Sequence, residues 1–200
     1  MAPGILQREW EEDGRRYFHY QTDSQITPQY SFHSGQFAIQ KDKWKELDIM
    51  VYYHPDHAYN LNSIIEGVKA SLDYNTQYFG PYQHQEIRIV EYPRTEGTFA
   101  TIMGNLMPYS ELYWIGDISA DGIDLPYYVS AHETTHHWWG HQVNPANIRG
   151  GQMVTESMAE YVGLKVLERR YGKAMIRRFL RHDLDLYLEG RANARGEAPT

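Results

Sequence analysis

The chain has no cysteine, so it can form neither a disulfide framework nor a thiolate metal site, and any bound metal must take nitrogen and oxygen ligands. No apolar run approaches the roughly 20 residues of a membrane-spanning helix, and the opening Met1-Ala2-Pro3-Gly4 lacks the apolar core of a signal peptide. The expectation is a soluble chain that makes no membrane contact of its own. Basic charge is scarce and scattered: 19 Lys and Arg stand against 26 Asp and Glu, a formal charge of -7, with no stripe to neutralise phosphates. Nucleic acid is therefore not expected as a partner. Internal repeats are absent as well.

What is present suits one globular domain, or a domain and a fragment. The 200 residues are 42% hydrophobic and 14% aromatic, enough for a substantial core. Between residues 15 and 55, aromatic and β-branched runs such as Arg16-Tyr17-Phe18-His19-Tyr20 and Leu47-Asp48-Ile49-Met50-Val51 are broken by turn residues and predict strands. From Asn60 to Phe79 the apolar positions Leu61, Ile64, Ile65, Val68 and Leu72 follow helical spacing, and Gly80-Pro81 stops them. Residues 86–92 alternate as a strand, and Leu112-Tyr113-Trp114-Ile115 predicts a short edge strand. Asp124-Leu125-Pro126 opens a helix that Gly140 can end. Two further helices are predicted over about 154–171 and 175–188, and the polar stretch 190–200 reads as a linker or cut end.

The helix after Asp124 carries Ser130-Ala-His-Glu-Thr-Thr-His-His-Trp-Trp-Gly-His141, four histidines and one acid in twelve residues. Positions four apart share a helix face, so His132 and His136 can offer two imidazole nitrogens to one ion. Glu133 points about 100° round from His132, beside such an ion and not onto it, where a base for an attacking water belongs. His137 and His141 are also four apart, but Trp138 occupies the position that would need the acid.

A third ligand is needed. On the next predicted helix, Glu156 shares a face with Ala159, Glu160 and Gly163, and the two small residues would let that helix approach the first closely. Glu160, one turn behind Glu156, is placed to hydrogen-bond the second nitrogen of a metal-ligating histidine.

With these residues in view, the chain resembles the membrane alanyl aminopeptidase family of gluzincin metallopeptidases. His132-Glu133-Thr134-Thr135-His136, followed at a distance by Glu156, is similar to that family's ligand set, and Trp138, Trp139, Gly140, Pro145 and Tyr161 fall where its motif has similar residues. Tyr52-Tyr53-His54-Pro55 and Tyr78-Phe79-Gly80-Pro81-Tyr82 extend the resemblance upstream. It is greatest to the bacterial branch in which such a domain is attached to permease-like membrane segments, and this resemblance implies a parent protein at a bacterial membrane. Three features depart from the pattern. Nineteen residues separate His136 from Glu156, a spacing similar to that of thermolysin-like enzymes. The family's Gly-x-Met-Glu-Asn stretch, whose acid binds the substrate's amino group, has its nearest text at residues 104–111, which makes Glu111 the candidate. The family's transition-state tyrosine, in a Tyr-x-Lys-Gly-like context, has no counterpart in the 44 residues after Glu156; Tyr161, Tyr171 and Tyr187 are present without that context.

The resemblance implies an α+β, thermolysin-like zincin. Residues 1–48 would be the end of an N-terminal β domain, 49–189 the catalytic domain and 190–200 the linker. Zn²⁺ would be held by His132, His136 and Glu156, with Glu133 as base, Glu160 behind the ligands and Glu111 on the substrate. A peptide would lie along the 112–115 strand, and the fragment would be weakly active or inactive by itself. The alternatives are a thermolysin-type endopeptidase and a catalytically silent zinc-containing domain that binds peptides. Glu133 argues against the silent domain, because a structural site needs no base.

Overall fold

The computed structural model describes residues 1–115 and 122–193. Its first two strands, β1 (Ile5–Glu12) and β2 (Arg15–Gln21), pair antiparallel and are joined at Asp13-Gly14. Both turn residues have positive φ, 50° and 71°, the turn hand that matches the right-handed twist of a hairpin. The hairpin's base is tied to the rest of the chain, since Gly4 N–H donates to Asn105 Oδ1 at 2.7 Å and Arg88 donates to the carbonyls of Ala2 and Gly4.

A second sheet has the order β3 (Ala38–Trp44), β4 (Leu47–Tyr53), β5 (Glu86–Tyr92), β6 (Leu106–Ser110). β3 runs antiparallel to β4, whereas β4, β5 and β6 are parallel. The mixed sheet and its helices make the chain α+β. Because β3 pairs with β4, residues 38–44 belong to the same sheet as the strands that follow. β5 lies between two parallel neighbours and is buried from Ile87 through Glu91, Arg88 and Glu91 included.

Helix α1 (Leu61–Phe79) crosses from β4 to β5 and buries Ile64, Ile65, Val68 and Leu72 against the sheet. Its other contact is with α3 (Leu125–Thr135), whose start is fixed by the Asp124 side chain accepting from Tyr127 N–H at 3.1 Å, with Pro126 in the first turn. The two helices approach so closely at Gly67 that a Cβ there would lie 2.3 Å from the Tyr127 carbonyl oxygen. Gly67→Ala is therefore expected to destabilise the protein by about 3 kcal/mol, at the upper end of overpacking costs. A melt would show this as a fall in Tm of about 6–12 °C. An unchanged Tm would mean that the helices separate at little cost.

Two elements differ from the sequence expectation. Residues 112–115 are not an edge strand: α2 (Glu111–Ile115) is a short helix that begins where β6 ends, with Leu112 N–H donating to Ser110 Oγ at 3.4 Å. Helical geometry sends Trp114 into the core beside Tyr109, ring centroids 5.4 Å apart, and leaves Leu112 outside, whereas a strand would have to bury both faces of an apolar run. The edge lies elsewhere. Residues 99–103 turn back along β6, with Ser110 N–H to the Phe99 carbonyl (3.2 Å), Thr101 N–H to the Pro108 carbonyl (3.1 Å) and Met103 N–H to the Leu106 carbonyl (2.8 Å).

Helices α4 (Met158–Tyr171) and α5 (Lys173–Asn193) follow a π-helical turn at Met153–Ser157. α5 continues into the stretch expected as a linker, and residues 194–200 lie outside the described residues. Among the described residues, no helix is long and apolar enough to cross a membrane.

Candidate metal centre

α3 keeps regular helical geometry through Thr135, after which the chain tightens: His136 and His137 N–H donate three residues back, to the carbonyls of Glu133 and Thr134. The helix thus ends earlier than Gly140. His136 still has right-handed helical backbone, so it stays one turn from His132 with both side chains on one face. Their Nε2 atoms are 3.2 Å apart. Gly140, with φ 124°, then reverses the chain, and a Cβ there would sit 3.5 Å from Thr155 Cγ2. This reversal lets the π turn come alongside, and the π turn presents Glu156. Such turns recur at functional sites because they re-aim a side chain within a continuous helix.

Glu156 Oε2 lies 3.7 Å from His132 Nε2 and 3.6 Å from His136 Nε2. Ligands held tetrahedrally at 2.0–2.1 Å from zinc stand about 3.3–3.5 Å from one another. The three donor atoms are therefore already set almost at the separations one ion requires, and the nitrogen and oxygen donors fit zinc. The His136 ring is oriented by Nδ1 donating to the Trp139 carbonyl at 3.0 Å, which leaves the Nε2 lone pair for the ion. His132 Nδ1 points toward Glu160 Oε2 at 3.5 Å, and the Tyr128 hydroxyl donates to the same oxygen. Glu160 thus stands behind His132. The close approach of the helices is as expected: Ala159 is buried, and a Cβ on Gly163 would come within 2.9 Å of the Tyr128 ring.

The centre favours positive charge. Burial alone would lower His132, but its contacts with Glu156 and Glu160 and the charges of Glu133 and Glu160 prevail and raise it to about 10. Burial and the neighbouring His132 lower His136. The contact with His132 holds Glu156 below its ordinary range despite partial burial. Glu133 is buried beside the three donors, and burial, with the charge of Glu156 adding and that of His132 opposing, pushes it to about 7.

His137 takes no part. It is fully buried and both nitrogens are occupied: Nδ1 at the Thr134 carbonyl of α3 itself (3.0 Å), and Nε2 at the Tyr82 hydroxyl (3.1 Å), which ties this end of α3 to the segment after α1. Glu111 lies at the start of α2 with a carboxylate oxygen 3.6 Å from Arg94 Nε, on a cavity separate from the cleft of about 330 Å³ beside His136 and Glu156. Thr101 lines both. The Tyr171 hydroxyl donates to Asp124 at 2.7 Å, Tyr187 is exposed on α5, and Tyr161 faces Tyr74 and Lys165. The tyrosines that feel the charge of Glu133 are instead Tyr92, Tyr109, Tyr113 and Tyr128. Tyr128 lies on α3 itself, whereas β5, β6 and α2 bring in Tyr92, Tyr109 and Tyr113, for which sequence spacing gave no hint.

A solved structure described as a two-domain M1 zinc metallopeptidase, in a Glu-to-Ala mutant bound to L-arginine, superposes on this chain with a TM-score of 0.61 at 13% sequence identity. The match covers 86% of this chain and 38% of that one. The two share a fold over that region. This chain spans well under half the length of that protein. No family model matches the sequence, and no curated protein matches it.

Behind Glu160, burial and the charge of Glu160 raise Asp183 on α5 to about 6. A raised carboxyl pKa means that the ionised form is less comfortable folded than unfolded. Its penalty is absent below about 4, grows through pH 6 and is complete above it. Asp183→Asn is expected to stabilise the protein by about 1 kcal/mol at pH 8, a Tm gain of about 2–4 °C, with the gain shrinking as the pH falls toward 4. A gain independent of pH would contradict this origin.

Proposed function

We propose that this protein is a zinc-dependent peptidase in which His132, His136 and Glu156 hold the ion and Glu133 is the general base. The observation that carries the reading is the preset triad, with donor atoms 3.2–3.7 Å apart and a buried carboxylate on the next residue after one of its histidines. Zinc, when bound, would polarise a peptide carbonyl and acidify the attacking water. Glu133 takes the proton from that water and returns it to the departing amine. Glu160, 3.5 Å from His132 Nδ1, would orient that ring on closing to hydrogen-bond distance, and the Trp139 carbonyl accepts from Nδ1 of His136.

The substrate strand would add to the edge at residues 99–102. Phe99 C=O and Thr101 N–H are used toward β6, so those of Ala100 project to the opposite side, and neither has a partner among the described residues. Thr101 and Ile102, next along that edge, line the cleft beside His136 and Glu156. An extended peptide hydrogen-bonded to Ala100 would run past the ion.

Within this class the first reading is an aminopeptidase, supported by the shared fold with a metallopeptidase crystallised with a free amino acid, L-arginine. The placement of Glu111 on a cavity separate from the cleft beside His136 and Glu156 favours the second reading, an endopeptidase, because an amine bound at Glu111 would not lie in that cleft. Metal analysis with a panel of free and amino-blocked peptides separates the two. Zinc with cleavage of free peptides alone supports the aminopeptidase, and cleavage of blocked peptides supports the endopeptidase. Bound zinc with cleavage of neither points to a silent peptide-binding domain or to an incomplete catalytic fragment, and a longer chain that stays equally inactive would overturn the peptidase reading.

A further inference from the structure

A second cluster of ligand-type side chains sits where the parallel strands end. His57 follows β4, Glu91 lies next to the last residue of β5, and Glu111 immediately follows β6. One donor atom from each of the three lies within 4.8 Å of the others. The carboxyl ends of adjacent parallel strands are where open α/β sheets gather ligands, because loops leaving neighbouring strands converge there on one crevice. Here the crevice is a cavity of about 550 Å³ whose other walls include Phe32, Phe37, Phe99 and Met103.

Charge makes the cluster unusual. The Glu91 side chain is only 5% exposed, and its sole ion-pair partner among the described residues is His57, which touches one carboxylate oxygen through Nδ1. The other oxygen accepts the His54 backbone N–H at 2.6 Å, so the carboxylate is fixed in orientation. A second carboxylate, Glu111, is brought against this buried one, and the nearest guanidinium, Arg94, stands 3.6 Å from Glu111 with its own side chain 60% exposed. Two carboxylates in one partly buried place repel unless a cation joins them, and an imidazole cannot neutralise both. An exposed Arg pair is worth little, so Arg94 can be displaced at small cost.

We propose that His57, Glu91 and Glu111 form a second divalent-metal site, distinct from the His132 centre. One imidazole and two carboxylates select a borderline transition ion such as Zn²⁺ over Mg²⁺ or Ca²⁺, which prefer oxygen alone. Donors around such an ion stand at most about 4.4 Å apart, twice the bond length. The three donor atoms lie within 4.8 Å of one another, and the Glu111 side chain, 21% exposed, can adjust on leaving Arg94.

The test is zinc stoichiometry by elemental analysis after dialysis at a free zinc concentration that saturates the His132 centre. The expected counts are two ions in the wild type, one in His132→Ala/His136→Ala, one in Glu111→Gln, and none in the triple variant. Glu111→Gln replaces a partly exposed group with its isostere, so circular dichroism should show an unchanged fold; Arg94→Gln, which removes the competitor, should tighten the second ion. Loss of the second ion's affinity in Glu111→Gln should exceed the 10- to 100-fold that an outer-shell change causes. One ion in the wild type and none in His132→Ala/His136→Ala would overturn the proposal while leaving the peptidase reading intact. If, in addition, Glu111→Gln weakened binding of an amino-acid amide, the cation of this cluster would be a substrate ammonium and not a metal.

Discussion

Replacing Glu133 by Gln is expected to leave zinc bound and to lower peptide turnover by about 10²- to 10⁴-fold, the range a general base supplies. The amide keeps the shape of the carboxylate but cannot take a proton. Glu133 is buried and interacts with the charges of His132 and Glu156 without being one of the triad, so its loss should change the chemistry and not the metal site. The fall should appear in kcat and kcat/KM together, since the interaction removed is made in the transition state. The measurement is steady-state kinetics on the peptides that the wild type cleaves, with zinc assayed in the same samples. If zinc departs together with activity, Glu133 is a ligand and the geometry proposed for the centre is wrong. If neither changes, another group is the base.

Removing Glu156 or His132 should have the opposite profile, with zinc lost first and activity as a consequence. Three protein ligands are the usual number in catalytic zinc sites, and two donors 3.2 Å apart cannot hold the ion with comparable affinity. Measured in a Glu111→Gln background, so that only this centre contributes, Glu156→Ala and His132→Ala should fall to near-zero zinc. Glu160→Ala should weaken binding by about 10- to 100-fold, as expected of a group that orients a ligand without touching the ion. Thermal stability provides an independent reading. An ion at 1,000 times its Kd stabilises the folded state by about 4.1 kcal/mol, so a chelator should lower the Tm of the parent and leave that of Glu156→Ala unmoved. A Glu156→Ala protein that retains full zinc and the chelator response would remove Glu156 from the ligand set.

The differences between sequence and structure follow a physical pattern. The 61–79 helix was legible because its apolar residues recur at helical spacing and Gly80-Pro81 ends it. The start of α3 was legible because Asp124 and Pro126 are local capping signals. Residues 112–115 misled because four consecutive apolar residues have no period, and only the burial of Trp114 beside Tyr109 decides between helix and strand. Leu106–Ser110, interrupted by Pro108, carried little strand signal, yet pairing with β5 makes it one.

By itself the sequence determined the pairing of His132 with His136, the offset position of Glu133 and the shared face of Glu156 and Glu160. Each of these relations spans no more than a turn of helix, and helix geometry converts such spacing into direction. The absence of cysteine likewise restricted any metal to nitrogen and oxygen ligands. Only the tertiary structure decided that Glu156 meets the two histidines, through the Gly140 reversal and the π turn, and that residues 99–103 turn back along β6 with the N–H and C=O of Ala100 on the outer side. It alone gathered His57, Glu91 and Glu111 from the ends of three parallel strands, because contacts between residues 20 or more apart depend on how strands and helices pack, and no local periodicity records that packing.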